Sequence, residues 1–139
     1  MKHCLKMLTR WTALVLALSV AGCAAKPSKA EVDKKVKEVL SAASGEWKGI
    51  SYDTKADDTV SVVIASRTVN GKAYTYSFTG GGGTGGVGVR SPEGAWLVKY
   101  RYEKDKEVDS SKMDGTEDDI KTFRATAAEL AAAAIKACP

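Results

Sequence analysis

Apolar residues recur at spacings of three and four in two stretches of the chain, which predicts two amphipathic helices. The first helix covers about residues 29–43, and Ser28 and Glu31 are placed to form a capping box at its start. Its apolar stripe consists of Val32, Val36, Val39, Leu40 and Ala43. The second helix covers residues 117–137 and follows Thr116 as its N-cap. Its stripe consists of Ile120, Phe123, Ala127, Leu130, Ala134 and Cys138.

The segment between the two helices alternates apolar and polar residues, which predicts an antiparallel sheet of about five strands. The predicted strands cover residues 46–53, 59–69, 72–79, 87–90 and 95–103. Asn70-Gly71 predicts a two-residue hairpin turn, because a type I′ turn needs two residues that tolerate positive φ. That loop length places Val69 opposite Lys72. A sheet flanked by an N-terminal and a C-terminal helix gives an α+β fold.

The last predicted strand carries an aromatic stripe. Side chains alternate between the two faces of a strand, so one face of this strand holds Trp96, Val98, Tyr100 and Tyr102. Lys99 and Arg101 point the opposite way. We expect the aromatic face to be buried, because a domain this small needs its aromatic residues in the core. An exposed aromatic stripe would instead suit the binding of a sugar or a peptide.

A glycine-rich stretch lies between the third and fourth predicted strands. It contains Gly80, Gly81, Gly82, Gly83, Gly85, Gly86 and Gly88. The spacing of Gly83, Gly85 and Gly88 matches the dinucleotide-binding fingerprint, but a strand and a turn follow it where that fingerprint needs a helix. Two interpretations stay open. The preferred one is a flexible loop, and the other is a close approach of the backbone to a ligand or membrane.

Residues 103–119 are rich in acidic side chains, which makes calcium the metal to consider. The spacing of an EF-hand loop is absent. With Gly115 at the sixth position, Ser110 and Lys121 would occupy the first and twelfth positions, which need carboxylates. We expect a solvated loop in this segment, and no metal site is assigned.

Residues 1–23 have the layout of a secretory signal peptide. Lys2, Lys6 and Arg10 precede an apolar run at residues 11–20, and small residues follow. Val20-Ala21-Gly22-Cys23 resembles the lipobox of bacterial lipoproteins. The resemblance implies cleavage after Gly22, a diacylglyceryl group on the Cys23 thiol and usually a further acyl chain, such as palmitate, on its new amino group.

The same resemblance predicts the organisation and location of the mature protein. Residues 1–22 are the cleaved signal peptide, residues 23–28 are a short tether, and residues 29–139 are a single α+β domain. Ala24, rather than aspartate, follows the lipidated cysteine. In enteric-type lipoproteins this implies transport to the outer membrane, so we expect a lipid-anchored protein on its periplasmic face.

The composition of the mature chain excludes several functions. Loss of Lys2, Lys6 and Arg10 lowers the formal net charge from +4 to +1, so nothing favours nucleic acid as a partner. His3, the only histidine, is removed with the signal peptide. The mature chain therefore cannot form a histidine-based catalytic triad or a zinc site with histidine ligands. Beyond Cys23 only Cys138 is left, and we expect its thiol to be buried.

We therefore predict an envelope lipoprotein that is not an enzyme, needs no cofactor and has a binding or accessory role. Its expected partners are the membrane, through the lipid on Cys23, and an envelope protein. The alternative is a lipoprotein that binds a small ligand or calcium through the Gly80–Gly88 stretch or the acidic segment 103–119.

Overall fold

The structure is a computed structural model that describes residues 26–139. The signal peptide, the Val20–Cys23 motif and the first part of the tether lie outside the described residues. The helices are α1 (Lys29–Ala43) and α2 (Glu117–Ala137). The strands are β1 (Lys48–Lys55), β2 (Val60–Val69), β3 (Lys72–Gly81), β4 (Thr84–Arg90), β5 (Trp96–Glu103) and β6 (Lys106–Lys112). The predicted α+β class is confirmed, with six strands rather than five.

The six strands form one antiparallel sheet in which each strand pairs with its neighbours in sequence. The β2–β3 hairpin has the register predicted from its turn, with Val69 opposite Lys72. Both turn residues have positive φ, 51° at Asn70 and 80° at Gly71. The turn therefore fixes which side chains of the two strands face the core.

Both helices begin at the predicted caps. The Ser28 hydroxyl accepts a hydrogen bond from the Glu31 N–H at 3.2 Å, and the Glu31 carboxylate accepts one from the Ser28 N–H at 2.8 Å. Thr116 and Asp119 make the same reciprocal pair at the start of α2. These bonds satisfy backbone N–H groups that the first turn of a helix leaves without a partner.

The core lies between the helices and one face of the sheet. Helix α2 crosses β3 to β6, and α1 packs beside it against β1. The largest fully buried side chains are Tyr76, Tyr100, Tyr102, Phe78, Phe123, Leu40 and Leu130. Phe123 of α2 lies against Tyr74, with ring centroids 4.7 Å apart. Full burial of one such apolar side chain contributes about 1.5–3 kcal/mol, so this packing holds the helices on the sheet.

We call the opposite face of the sheet the open face. Both described helices lie on the core face, so neither covers it. Ile64 of β2 points to this side and is 39 % exposed. In the centre, the open face carries Ser77, Thr79, Gly86, Gly88, Lys99 and Arg101. An antiparallel sheet tolerates one solvated face, and here that face is available for contacts.

Strand β6 corrects the prediction of a solvated loop in residues 103–119. The β6 residues pair with β5, for example Ser111 with Lys99. Its sequence, KEVDSSK, contains a single apolar residue, Val108, which is 41 % exposed beside a bulge. An edge strand with so little buried surface needs no apolar alternation, which is why periodicity did not reveal it.

Three hairpin turns, the start of α1 and the end of α2 all lie at one end of the sheet. We call this end the tether end. The β1–β2, β3–β4 and β5–β6 turns all lie there because every strand runs antiparallel to the next. Helix α1 starts at this end, where Lys29 Nζ lies 2.6 Å from Asp53 Oδ1 near the end of β1. Helix α2 finishes at the same end, with Cys138 beside Ser61 at the start of β2.

A polar cluster closes the rim of the core where β2 meets α2. The Glu129 carboxylate accepts hydrogen bonds from Trp47 Nε1 at 2.7 Å and from the Arg67 guanidinium at 3.1 Å. The guanidinium also lies 5.2 Å from the centroid of the Trp47 ring. The Arg67 side chain is only 13 % exposed, so the cluster joins α2 to the sheet through largely desolvated groups.

Two buried tyrosines of β5 differ in one hydrogen bond. The Tyr100 hydroxyl donates to the Ile120 carbonyl at 2.6 Å. The Tyr102 hydroxyl is buried and has no hydrogen-bond partner within residues 26–139. Burial raises the pKa of both phenols, so both remain neutral at physiological pH.

This difference predicts opposite effects of removing the two hydroxyl groups. We expect Tyr100→Phe to lower the free energy of unfolding by about 1–2 kcal/mol, because it leaves a buried carbonyl without its donor. We expect Tyr102→Phe to leave the free energy of unfolding unchanged or to raise it by up to about 1 kcal/mol. Burial of the Tyr102 hydroxyl costs desolvation, and no hydrogen bond within the described residues offsets that cost. Urea unfolding of both variants checks this, and an equal loss from both would contradict it.

Candidate functional site

A groove of about 710 Å³ crosses the open face above β3, β4 and β5. Its volume lies in the range of small-molecule sites, about 300–1,000 Å³. Hydroxyl groups line one side, cationic side chains line the other, and a tryptophan and a methionine lie towards the end away from the tether. The residues that matter for its chemistry are Ser77, Thr79, Gly86, Gly88, Trp96, Lys99, Arg101, Glu103 and Met113.

Two glycines make the floor of the groove. Gly86 of β4 lies between Thr79 of β3 and Arg101 of β5. Gly88 lies between Ser77 and Lys99 in the same way. Because glycine has no side chain, the floor is main chain and the walls are the side chains of the two flanking strands. The Lys99 side chain passes over part of this floor, with its Cε 3.5 Å from the position of a Cβ on Gly86.

Trp96 closes the far end of the groove. A Cβ added to Gly88 would lie 2.8 Å from Cζ3 of the Trp96 ring, so the indole occupies the space above this glycine. The Arg90 guanidinium lies 4.6 Å from the centroid of the same ring. This cation–π contact and the glycine together fix the position of a half-buried indole on the open face.

The position of Trp96 corrects part of the predicted aromatic stripe. Val98, Tyr100 and Tyr102 are buried in the core as expected. Trp96 does not share their face, because the β4–β5 ladder shifts register between Val89 and Arg90. Two residues of β5 oppose one residue of β4 at such a bulge. The bulge therefore moves the first aromatic residue of the stripe to the open face.

The cations of the groove differ from those on the helix side of the molecule. Arg67 pairs with Glu129, and Arg124 pairs with Glu107 at 3.0 Å. The hydrogen bonds that the Arg124 guanidinium donates to the Glu107 carboxylate raise the pKa of Arg124. Lys99 and Arg101 are exposed and make no ion pair within the part of the chain that the structure describes.

The two unpaired cations have different surroundings. Arg101 lies opposite Asp109 of β6 in the sheet register, and Glu103 is the next residue of β5 on the same side. Lys99 lies opposite Ser111, a neutral residue. The positive potential of the groove is therefore least compensated at Lys99, close to Trp96 and Gly88.

The structure corrects the prediction of a flexible loop over the glycine-rich stretch. Gly80 and Gly81 are in β3, and Gly85, Gly86 and Gly88 are in β4. Gly82 and Gly83 alone form the turn, with φ of 64° and 86°. A two-residue turn with positive φ at both positions continues the ladder without a break.

The strand glycines divide between two faces of the sheet. A Cβ on Gly85 would lie 2.5 Å from the Phe78 ring, and a Cβ on Gly80 would lie 2.9 Å from the same ring. These two glycines therefore leave room for an aromatic side chain in the core. Gly86 and Gly88 face the groove instead. The alternative, a close approach of their backbone to a ligand or membrane, stays a prediction.

The acidic segment provides no clustered ligands for a metal. Among residues 26–139, no three histidine, cysteine, aspartate or glutamate side chains are grouped as a cation site. Glu107 pairs with Arg124, and Asp119 caps α2. The carboxylates near the β5–β6 hairpin are thus partly used in structural contacts, and the calcium alternative receives no geometric support.

The other predicted sites have simpler placements. Gly22 and Cys23 lie outside the described residues. Cys138 is half-buried beside the core, and burial raises the pKa of its thiol. Neither helix of the described range is long and apolar enough to cross a membrane.

Several residues of the groove were not predicted as a site. The alternation of residues identifies Lys99 and Arg101 only as the polar side of β5, and it includes Ser77 and Thr79 only as members of the third predicted strand. The signal that was available is that β3 and β5 both place polar residues opposite a glycine of β4. The pattern can be seen only if residues 80–88 are assigned to paired strands. The interpretation of this stretch as a flexible loop leaves β3 and β4 without a register there.

Comparisons of the chain with protein-family models, with curated proteins and with solved structures give no match. The geometry of the open face is therefore the basis for a functional proposal.

Proposed function

We propose that the protein is a lipid-anchored lipoprotein of the bacterial cell envelope that acts by binding, without catalysis, through the groove of its open face. The observation that carries the binding role is a groove with a glycine floor, an indole at one end and cationic side chains without ion pairs. The resemblance of Val20–Cys23 to a lipobox carries the anchor.

The glycine floor supports a binding role because it lowers the intrinsic stability of the strand that contains it. Glycine in the interior of a strand weakens the strand through backbone entropy and lost side-chain packing. Gly86 and Gly88 lie on the solvated side of a central strand. At Gly86 an added Cβ would meet no heavy atom closer than 3.2 Å, whereas at Gly88 it would lie 2.8 Å from the Trp96 ring. Trp96 therefore accounts for glycine at position 88, and close approach of a ligand gives a reason for glycine at position 86.

The tether supports work at a membrane surface. Residues 23–28 span at most about 3.5 Å each when fully extended, so α1 starts within about 20 Å of the lipid. The tether end of the sheet is then the end closest to the anchor. The groove runs along β4 from that end towards Trp96, which lies at the opposite end of the sheet.

The residue inventory supports a role without catalysis. His3 is the only histidine and precedes Cys23. Cys138, the one cysteine after Cys23, is half-buried beside the core and away from the groove. The groove itself offers hydroxyl, ammonium and guanidinium groups, which suit recognition of a polar or anionic partner.

Lipidation is tested by Cys23→Ser. We expect the wild type to incorporate radiolabelled palmitate and to sediment with membranes, because two or three acyl chains hold a protein stably in a bilayer. The variant should lose both properties. A variant that still carries palmitate and still sediments with membranes would contradict the anchor.

Binding through the groove is tested by photocrosslinking in intact cells. A benzophenone amino acid replaces Thr79 in the groove wall, and the matched control carries it at Lys34, which is exposed on α1. We expect adducts that form at Thr79 and are absent at Lys34. Identical adduct patterns at the two positions, or none at Thr79, would contradict a binding role for the groove.

A further inference from the structure

We propose that the ligand of this groove is an acidic sugar, a pyranose ring that bears a carboxylate, held at the end formed by Trp96, Gly88 and Lys99. The proposal rests on the proposed function, since it names the chemical class that the same groove would bind. Three properties of this end carry it: an apolar ring face, an unpaired ammonium group and a wall of free hydroxyl groups.

The indole supplies the apolar surface that one face of a sugar ring needs. A pyranose has a face of C–H groups and a rim of hydroxyl groups, and tryptophan packs well against such an amphipathic ring. The Trp96 ring is half-buried on the open face and is held by the Arg90 guanidinium at 4.6 Å. The indole itself fills the space above Gly88, so the surface that a sugar would meet at this end of the groove is the Trp96 side chain and not the backbone.

The ammonium group of Lys99 supplies the partner for a carboxylate. Lys99 is exposed, makes no ion pair within residues 26–139 and lies opposite the neutral Ser111. Arg101 is a weaker candidate because Asp109 lies opposite it and Glu103 follows it. A charge-assisted hydrogen bond to an anion is about twice as strong as a neutral one, so Lys99 is the site that separates an acidic sugar from a neutral one.

The hydroxyl groups of Ser77 and Thr79 supply partners for the rim of the sugar. They line the wall opposite the cations, and neither side chain makes a hydrogen bond to another group of the described chain. A hydroxyl group both donates and accepts, which matches the mixed hydroxyl groups of a sugar. A flat aromatic acid would leave this wall unused.

The sheet geometry favours a sugar over an extended peptide. Peptides that join a sheet pair with an unpaired edge strand. Strand β4 pairs on both sides, with β3 and with β5, so its backbone has no edge to offer at the groove. Recognition there depends on side chains and on ring packing.

The test is calorimetric titration of the full-length protein, purified in a polyoxyethylene detergent so that no detergent sugar competes. The probes are trigalacturonate and the neutral galactose trisaccharide of the same linkage. We expect the acidic sugar to bind at least about tenfold more tightly, because one charge-assisted hydrogen bond is lost with the neutral ligand. Equal binding of the two sugars, or no binding of either, overturns the proposal.

Two variants and a control locate the site. Lys99→Gln should lower the affinity for the acidic sugar by about tenfold and leave the affinity for the neutral sugar unchanged. Trp96→Leu should lower the affinity for both sugars. Lys72→Gln removes an exposed lysine at the β2–β3 turn and should change neither affinity. Full affinity of the acidic sugar for Lys99→Gln overturns the proposal, provided that the variant melts at the wild-type temperature.

Two further outcomes separate this proposal from the proposed function. Binding to phosphatidylglycerol vesicles that depends on Lys99 and is not displaced by trigalacturonate would overturn the sugar in favour of a lipid headgroup. The second outcome would be protein adducts at the Thr79 crosslinker and no heat of binding in the trigalacturonate titration. It would overturn the sugar proposal and leave the proposed binding function in place. Failure of both experiments would overturn both proposals.

Discussion

Gly80→Ala is expected to lower the free energy of unfolding by about 3 kcal/mol, towards the upper end of what overpacking a core costs. An added Cβ would overlap the Thr84 carbonyl oxygen, lie 2.6 Å from Gly85 Cα and lie 2.9 Å from the buried Phe78 ring. Two of these obstacles are main chain in a paired strand, so a change of rotamer does not relieve the overlap. Urea unfolding followed by circular dichroism measures the loss.

Gly45→Ala is the matched control for this variant. Gly45 has no heavy atom within 4 Å of an added Cβ, and its φ is not positive. The same chemical change there should alter stability by no more than about 0.5 kcal/mol, as is usual at the surface. If Gly80→Ala were as stable as the wild type, the backbone of the β3–β4 hairpin could shift to accept a Cβ at little cost. The contacts of Gly80 with Gly85 and Phe78 would then not be tightly packed.

Glu129→Ala is expected to lower the free energy of unfolding by about 2–3 kcal/mol. The substitution leaves Trp47 Nε1 partly buried without its acceptor, and it leaves the Arg67 guanidinium with only the exposed Glu46 carboxylate as a partner. Loss of one partner costs the desolvation of the other, and the cost is larger for a charged group. Thermal unfolding should show a decrease of about 10 °C for a domain of this size.

Glu46→Ala provides the comparison. Glu46 also pairs with Arg67, at 3.5 Å, but its side chain is 68 % exposed. An exposed ion pair contributes about 0–1 kcal/mol, so this variant should unfold close to the wild type. If Glu46→Ala were as destabilising as Glu129→Ala, the charge of Arg67 and not the buried hydrogen-bond acceptor would be what stabilises the rim.

The sequence predicted the parts of the fold where local chemistry and burial agree. Helix α1 has the expected bounds because Ser28 and Glu31 cap it and an apolar stripe continues behind them. The β2–β3 register follows from the two turn residues at positions 70 and 71. In these segments each residue supports the same local structure, so no distant contact is needed to choose it.

The remaining elements depend on neighbours that the sequence does not reveal. Gly80 and Gly85 form strands because Phe78 fills the space that their side chains would occupy, which is a tertiary effect. Strand β6 pairs along the edge of β5 without an apolar pattern of its own. The groove could not be predicted for both reasons. Its floor forms only if the glycines lie in a paired strand, and its far end forms only if the β4–β5 bulge turns Trp96 to the open face.

The order of elements along the chain has a consequence for how the domain is made. Helix α2 is the last element and covers β3 to β6, so the whole sheet is synthesised before its cover. Until residues 117–137 emerge, Tyr76, Phe78 and Tyr100 have no helix to pack against, although every hairpin of the sheet can already form from adjacent segments. Local hairpins form within microseconds, but an isolated hairpin is only marginally stable in water. The sheet therefore becomes stable only when residues 117–137 are present to cover its aromatic face.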